Sequence, residues 1–102
     1  MKVRSGFVSN SSSSSFTMVT TKAWHEAVVA SLTPEQREFM ESVMPREATI
    51  GFDKFMVITG THGNCGDWIG AYEIRSDDDY DMWQAYLVKV GRENYIYTDV
   101  GM

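Results

Sequence analysis

Cysteine, proline and long apolar runs are all scarce in this sequence. Cys65 is the single cysteine among 102 residues, which excludes an internal disulfide. No apolar stretch approaches the roughly 18 residues that a membrane-spanning helix needs. The start Met1–Arg4 is followed by a serine-rich stretch rather than by the apolar segment of a secretory signal. We therefore expect the protein to be found in the cytosol of the cell that makes it.

Positive charge is scarce as well. Nine Lys and Arg residues stand against 14 Asp and Glu residues, and the formal net charge is -5. A negative field repels phosphate backbones and anionic lipid headgroups, and the basic residues form no stripe of the kind that a groove-binding protein needs. We expect no direct nucleic-acid partner and no membrane partner, so a protein partner is favoured.

The apolar content is sufficient for one folded domain. Apolar residues make up 43% of the chain and aromatic residues 13%, which is typical of a packed interior. The order of strand-like and helix-like segments predicts an α+β fold, with a small mixed or antiparallel sheet of about four to five strands and a helix pair packed on one face. We interpret residues 1–15 as a serine-rich N-terminal arm and residues 16–102 as a single α+β domain.

Two helices are predicted before the middle of the chain. Residues 24–32 carry apolar side chains at every fourth position, the spacing of one side of a helix. Thr33 then begins an N-cap pattern, with Pro34 at the first helical position and Gln36 at the third, where it completes a capping box. The second helix should end just before Pro45, because proline disfavours helical geometry at the residue that precedes it.

Strands are predicted from period-two alternation and from β-branched and aromatic residues. The continuous apolar run 55–59 predicts a central strand buried on both faces, and the glycine-rich segment 60–66 predicts a loop. Ser76–Asp79 resembles a helix cap that leads into a single helical turn at 80–84. The other predicted elements are a polar break at 45–49, strands at 16–21 and 68–74, and a closing hairpin of 86–90 with 95–100.

The loop around residue 62 is the best candidate for chemistry. It holds His62, Cys65 and Asp67 within six residues, the side-chain types of a cysteine nucleophile with a base and an orienting group. The alternative is an ordinary thiol in a β-turn, because the spacing does not bring the side chains within hydrogen-bond reach. We assign no catalytic residue and predict that the protein is not an enzyme.

Metal and cofactor motifs are incomplete. One cysteine and two histidines are too few for a tetrahedral zinc site without carboxylates. Asp77, Asp79 and Asp81 match three positions of a calcium loop, but Met82 replaces the required glycine and Val88 the closing glutamate. No phosphate-binding or dinucleotide-binding glycine motif is present. The sequence therefore predicts no metal and no cofactor.

Two sets of side chains can be interpreted either as purely structural or as part of a partner-binding surface. The run Asp77–Asp79 suits either a solvated helix start or an acidic contact patch for a basic partner. The seven methionines and the many tryptophan and tyrosine residues suit either the core or a protein interface.

The amino-terminal stretch carries a recognisable pattern. Met1-Lys2-Val3-Arg4-Ser5-Gly6-Phe7-Val8-Ser9-Asn10-Ser11-Ser12-Ser13-Ser14-Ser15-Phe16 resembles a short signature found on many otherwise unrelated proteins of bacteriophages and of bacteria that carry prophages. The similarity covers these sixteen residues and stops there. It implies a phage-type origin and a docking role for the arm, and it carries no catalytic residue with it.

These observations predict a non-enzymatic bacteriophage protein that acts through protein-protein contact, most simply a virion accessory component such as a capsid or tail decoration protein. Its partner would be phage structural subunits, a host protein or a second copy of the chain. The alternatives are an inhibitor of a host nuclease or defence complex that uses its acidic surface, and a small enzyme built on Cys65 and His62. The predicted contact residues are Phe7, Val8, Ser11, Ser12, Ser13 and Phe16 of the arm and its end, and Asp77, Asp78 and Asp79 of the acidic run.

Overall fold

The described chain folds as one antiparallel sheet with three helices, which confirms the predicted α+β class. A computed structural model describes residues 14–63 and 66–101. The elements in chain order are β1 (Ser14–Thr21), α1 (Lys22–Ala30), α2 (Pro34–Val43), β2 (Arg46–Ile50), β3 (Asp53–His62), β4 (Asp67–Ile69), β5 (Tyr72–Ile74), α3 (Asp77–Val90) and β6 (Tyr95–Gly101), with a 3₁₀ turn at Arg92–Asn94.

The long strands β1 and β3 form the centre of the sheet. Its order is β5-β4-β3-β1-β6, and β2 pairs with the first half of β3 on the side that β4 occupies further along. Met18 of β1 lies between Ile58 of β3 and Tyr97 of β6. Among the described residues, the outer edges of β6, β5 and β2 have no neighbouring strand.

The core lies between the helices and one face of the sheet, here called the inner face. Phe16, Met18 and Thr20 alternate along β1 and are buried, whereas the residues between them are less buried, the period-two pattern of a half-covered strand. The remaining buried apolar residues are Val28, Leu32, Phe39, Met40, Val43, Ile58, Ile69, Trp83, Tyr86, Leu87 and Val90.

Side-chain caps start the first two helices, as the sequence predicts for α2. The Thr33 hydroxyl accepts a hydrogen bond from the Gln36 amide at 3.3 Å, and the Gln36 side chain accepts one from the Thr33 amide at 3.1 Å. The helix ends at Met44, which has φ 56°. The Thr21 hydroxyl caps α1 by accepting from the Trp24 amide. The predicted helix pair is therefore confirmed, and α3 joins it as a third helix.

The number of strands is six in the described chain, not four or five. The predicted polar break at 45–49 is wrong, because Arg46–Ile50 pairs with β3 as a hairpin strand. The predicted single strand 68–74 is two short strands, β4 and β5. Gly70 turns the chain between them at φ +59°, and a Cβ there would collide with the Val43 carbonyl oxygen. Only glycine fits this close approach.

The prediction of a closing hairpin of 86–90 with 95–100 is also wrong. Residues 86–90 belong to α3, which has 14 residues rather than one turn. Trp83, Tyr86, Leu87 and Val90 are all buried, and this spacing is that of one side of a helix. The partner of the last strand is β1 instead.

The domain begins slightly earlier than predicted. Ser14 and Ser15 already pair with His62 and Thr61 in the sheet, so the last two residues of the predicted arm are part of β1. The strand β3 likewise extends through His62, into the predicted loop. No helix in the described part of the chain has the length and apolar character needed to cross a membrane.

Candidate interaction surface

The second face of the sheet, here called the outer face, has no helix packed on it among the described residues. Residues paired across antiparallel strands point to the same face, so Thr17, Thr59 and Thr98 lie side by side on it. Thr59 and Thr98 are exposed. The prediction that 55–59 is buried on both faces is therefore wrong, because only one side of β3 faces the core.

The outer face is divided into an apolar half and a hydroxyl half. Most outward positions of β1, β3 and β6 are valine, phenylalanine or isoleucine towards one end and serine or threonine towards the other. The exceptions in the register are Thr21 and Asp53 at the apolar end and position 100, a valine, at the hydroxyl end. The apolar half consists of Val19, Phe55, Val57 and Ile96, and the hydroxyl half of Ser15, Thr17, Thr59, Thr61 and Thr98.

None of these nine outward side chains is charged, although charged residues make up 23% of the whole sequence. Depletion of charge is the mark of an interface core, whereas ordinary protein surface carries mixed charges. The charged residues of the outer face lie towards its margin: Arg46 of β2 pairs with Val57, Glu73 of β5 pairs with Trp68, and Asp53 is the first residue of β3.

Two shallow clefts lie at the ends of this face. The cleft at the apolar end has a volume of about 350 Å³, and Val19, Trp24, Phe55 and Ile96 are among the residues that line it. The cleft at the hydroxyl end has a volume of about 390 Å³ and is bordered by Trp68. Partly exposed tryptophans thus lie at both ends of the outer face, and aromatic side chains of this kind are enriched in interfaces.

The predicted chemical residues His62 and Asp67 do come together, with Tyr80 of α3 as a third member. The Tyr80 hydroxyl oxygen lies 2.7 Å from His62 Nδ1 and donates to Asp67 Oδ2 at 3.0 Å. Asp67 Oδ1 also accepts from the Gly63 amide at 3.2 Å. The histidine and tyrosine rings are nearly parallel, with centroids 5.7 Å apart.

This His62–Asp67–Tyr80 cluster joins the end of β3 and the start of β4 to α3. Burial, together with the neighbouring Asp67 carboxylate, raises the pKa of Tyr80 to about 12, so its phenol remains protonated at neutral pH. The hydrogen bonds of the cluster use the Tyr80 hydroxyl, His62 Nδ1 and both carboxylate oxygens of Asp67. Cys65, which would be the nucleophile in the enzyme alternative, lies outside the described residues.

Metal ligation has no support in the described chain. Within residues 14–63 and 66–101, no three His, Cys, Asp or Glu side chains lie close enough together to hold a metal ion.

The acidic run is split between surface and interior. Asp77 and Asp78 are exposed, whereas Asp79 is buried. The Asp79 carboxylate accepts from the Tyr72 hydroxyl at 3.0 Å and from the Arg75 amide at 2.9 Å. The assignment of Asp79 to a partner contact is therefore wrong, because the chain itself uses this carboxylate.

The predicted contacts of the arm have different outcomes. Phe7, Val8, Ser11, Ser12 and Ser13 lie outside the described residues. Phe16 is only 4% exposed and packs against Tyr97 and Trp83, with ring centroids 5.3 and 5.7 Å away. Its assignment as an anchor for a neighbouring subunit is wrong, because its ring fills the core of its own chain.

Sequence reasoning missed the outer face, although a signal was present. Thr17 and Val19 alternate with the buried residues of β1, so they mark the opposite face of this strand. Whether a second layer covers that face depends on tertiary structure, which alternation does not reveal. Comparison of the chain with protein-family models, curated proteins and solved structures finds no match.

Proposed function

We propose that this protein works without catalysis, as a subunit that binds another protein through the outer face of its sheet. The observation that carries the proposal is the absence of charge from the nine outward residues of β1, β3 and β6 named above, which form the centre of the outer face. A folded chain with a net charge of -5 gains solubility from charged surfaces. A central face without charge is explained when that face is covered in an assembly.

The partner would present a flat, uncharged surface of its own. Two sheets pack about 10 Å apart when their facing side chains interdigitate, and the valine, phenylalanine and isoleucine side chains of the apolar half suit such contact. The hydroxyl half suits hydrogen bonds and bridging water, which interfaces also contain.

The resemblance of the amino-terminal stretch to phage proteins supports the idea that this contact is made in a phage particle. Proteins with that signature belong to bacteriophages and prophages, and a virion accessory component, such as a capsid or tail decoration protein, acts by binding structural subunits. We propose this role for the chain, with the outer face as the contact surface and a phage structural subunit as the partner.

Virion composition tests the role and the surface together. A phage whose own copy of the gene is deleted is grown in cells that supply a tagged variant, and purified virions are analysed by quantitative mass spectrometry. The test variant is Ile96→Glu on the outer face, where the side chain is 67% exposed. Its matched control is Val88→Glu on α3, where the side chain is 77% exposed. Both changes place the same charge on an exposed apolar position, so both variants should fold.

We expect the unaltered protein and Val88→Glu at many copies per particle and Ile96→Glu at a small fraction of that number. Absence of the unaltered protein from virions would disprove the virion role. Incorporation of Ile96→Glu at the level of Val88→Glu would show that the outer face is not the contact surface.

A further inference from the structure

No strand of residues 14–63 or 66–101 pairs with the outer edge of β6, which is long and poorly protected. The strand has seven residues, Tyr-Ile-Tyr-Thr-Asp-Val-Gly, with one charged side chain, no lysine and no proline. Natural proteins normally protect exposed edges with lysine, proline, bulges or short strands, because unpaired amide and carbonyl groups accept a further strand. On the opposite side of the sheet, the edge strands are β5, with only three residues, and β2, with five residues that include Arg46 and Glu47.

A groove runs beside this edge on the inner face of the sheet. It has a volume of about 370 Å³, which is within the size range of ligand sites, and it lies between β6 and α3. Tyr95 and Tyr97 form the strand side, and Trp83 and Leu87, one helical turn apart, form the helix side. Gln84 and Arg92 complete the lining, and both are exposed.

A groove between an edge strand and a helix fits the geometry of strand addition. A strand added to β6 would lie about 4.8 Å from it, with alternate side chains pointing to the inner face. Those side chains would enter the space between the tyrosines of β6 and the apolar residues of α3. The main chain of the ligand then provides affinity, and the groove selects its side chains.

We propose that the β6–α3 groove binds an extended peptide segment of another protein by adding it to the sheet as a seventh strand. The peptide carries apolar side chains at alternate positions, which enter the groove lined by Tyr95, Tyr97 and Leu87. It also carries a carboxylate that pairs with Arg92. This site is separate from the outer face and does not depend on the function proposed above.

The acidic component follows from the charges around the groove. Arg92 lies on the 3₁₀ turn between α3 and β6 and forms no ion pair with another described residue. Among the described residues that line the groove, Arg92 alone is charged, and the carboxylate of Asp99 lies further along the same face of β6, beyond Tyr97. A peptide carboxylate beside it would gain a charge-assisted hydrogen bond, which a neutral peptide would lack.

Selection with the full-length protein tests the recognition pattern. The probe is a library of short randomised linear peptides, and the enriched sequences are read. We expect aromatic or aliphatic residues at every second position and an acidic residue at one end. No enrichment, or enriched peptides without this alternation, would overturn the proposal.

Backbone methylation of one selected peptide then tests strand addition directly. Two versions are made, each N-methylated at one of the two alternating sets of amides. Methylation of the set that faces β6 should abolish measurable binding, since each lost hydrogen bond weakens affinity by roughly twofold to tenfold. Methylation of the other set should leave binding nearly unchanged. An equal effect of the two versions would exclude strand addition.

Charge reversal tests the cationic end of the groove with a matched control. Arg92→Glu should weaken binding of the acidic peptide by roughly fivefold or more, because the attraction becomes repulsion. Lys89→Glu, on an exposed position of α3, makes the same change in net charge and should leave binding nearly unaltered. Equal weakening by both variants would contradict a carboxylate contact at Arg92.

Hydrogen exchange and sedimentation of the protein without peptide test whether something else already pairs with the β6 edge, either a second copy of the chain or another segment of the same chain. We expect a monomer whose β6 amides include an alternating set that exchanges rapidly and becomes protected when the peptide binds. A dimer with all β6 amides protected would show that a second copy occupies the edge. A monomer with the same full protection would show that the edge is already paired within the chain. Either result would overturn the peptide site.

Discussion

The His25 ring and the Tyr86 hydroxyl meet inside the core, where Nδ1 lies 2.7 Å from the phenol oxygen. The two residues lie on α1 and α3, and their rings meet edge to face with centroids 5.6 Å apart. Both are buried. The hydrogen bond satisfies two polar groups that would each be costly to bury alone. A second bond, from Trp24 Nε1 to the Val90 carbonyl at 2.8 Å, joins the same helices.

The buried histidine predicts that stability depends on pH. Burial lowers the pKa of His25 from its usual value of 6.5, and nearby Glu26 opposes this effect only in part. The unfolded chain therefore binds this proton more readily than the folded protein. The contribution of His25 to stability is complete above about pH 6.5 and is lost as the pH falls towards the lower folded pKa. The slope should reach at most about 1.4 kcal/mol per pH unit.

Urea unfolding at several pH values between about 7.5 and 5.5 measures this effect. In His25→Gln the free energy of unfolding should change less with pH over the same interval. If His25→Gln and the unaltered protein have parallel pH curves, the buried imidazole is not the titrating group.

The His62–Asp67–Tyr80 cluster predicts an energetic coupling between strand and helix. Tyr80→Phe removes the hydroxyl that donates to Asp67, and Asp67→Ala removes the acceptor. Each change should destabilise the fold by about 1 kcal/mol, the typical contribution of one hydrogen bond. The double variant should cost less than the sum of the two, because the second change removes an interaction that is already lost.

A double-mutant cycle from equilibrium unfolding measures the coupling, which we expect to be about 1 kcal/mol. A second cycle that combines Tyr80→Phe with Glu41→Ala, an exposed position on α2, should be additive within about 0.5 kcal/mol. Additivity in the first cycle would mean that Asp67 and Tyr80 do not hold the turn together.

Local signals in the sequence predicted α2 well and α3 poorly. The capping box at Thr33 acts between neighbours in the chain, so its residues alone reveal it. The segment 86–90, Tyr-Leu-Val-Lys-Val, has a high strand propensity, and this favoured the wrong prediction of a hairpin. Tertiary burial of Tyr86 and Val90 overrides that propensity in the folded protein.

In the candidate sites as well, residues that are close in sequence could be grouped in advance, whereas residues that the fold brings together could not. His62 and Asp67 are only five residues apart in sequence, so the sequence alone suggested them as members of one candidate site. Tyr80 is 18 residues from His62, and its place in the cluster depends on where α3 begins. The groove beside β6 requires two elements that the sequence interpretation paired differently, because it assigned Leu87 to a strand.

The buried carboxylate of Asp79 gives the sharpest contrast within the acidic run. It joins β5 to the start of α3 by accepting from the Tyr72 hydroxyl and the Arg75 amide, and it is 7% exposed. Asp79→Ala would leave both donors without this partner. We expect a loss of about 1–3 kcal/mol in the free energy of unfolding, the usual cost of an unsatisfied buried polar group.

Asp78→Ala is the matched control, since it removes the same side chain from the neighbouring exposed position. An exposed carboxylate in the first turn interacts only with the helix dipole, so its removal should cost about 0.3–1 kcal/mol at low salt and less at high salt. The loss in Asp79→Ala should persist in salt, because its hydrogen bonds are shielded from solvent. Urea unfolding of both variants at low and high salt measures the two losses. Equal losses of unfolding free energy in the two variants at high salt would contradict a structural role for Asp79, because its carboxylate would then behave like the exposed one of Asp78.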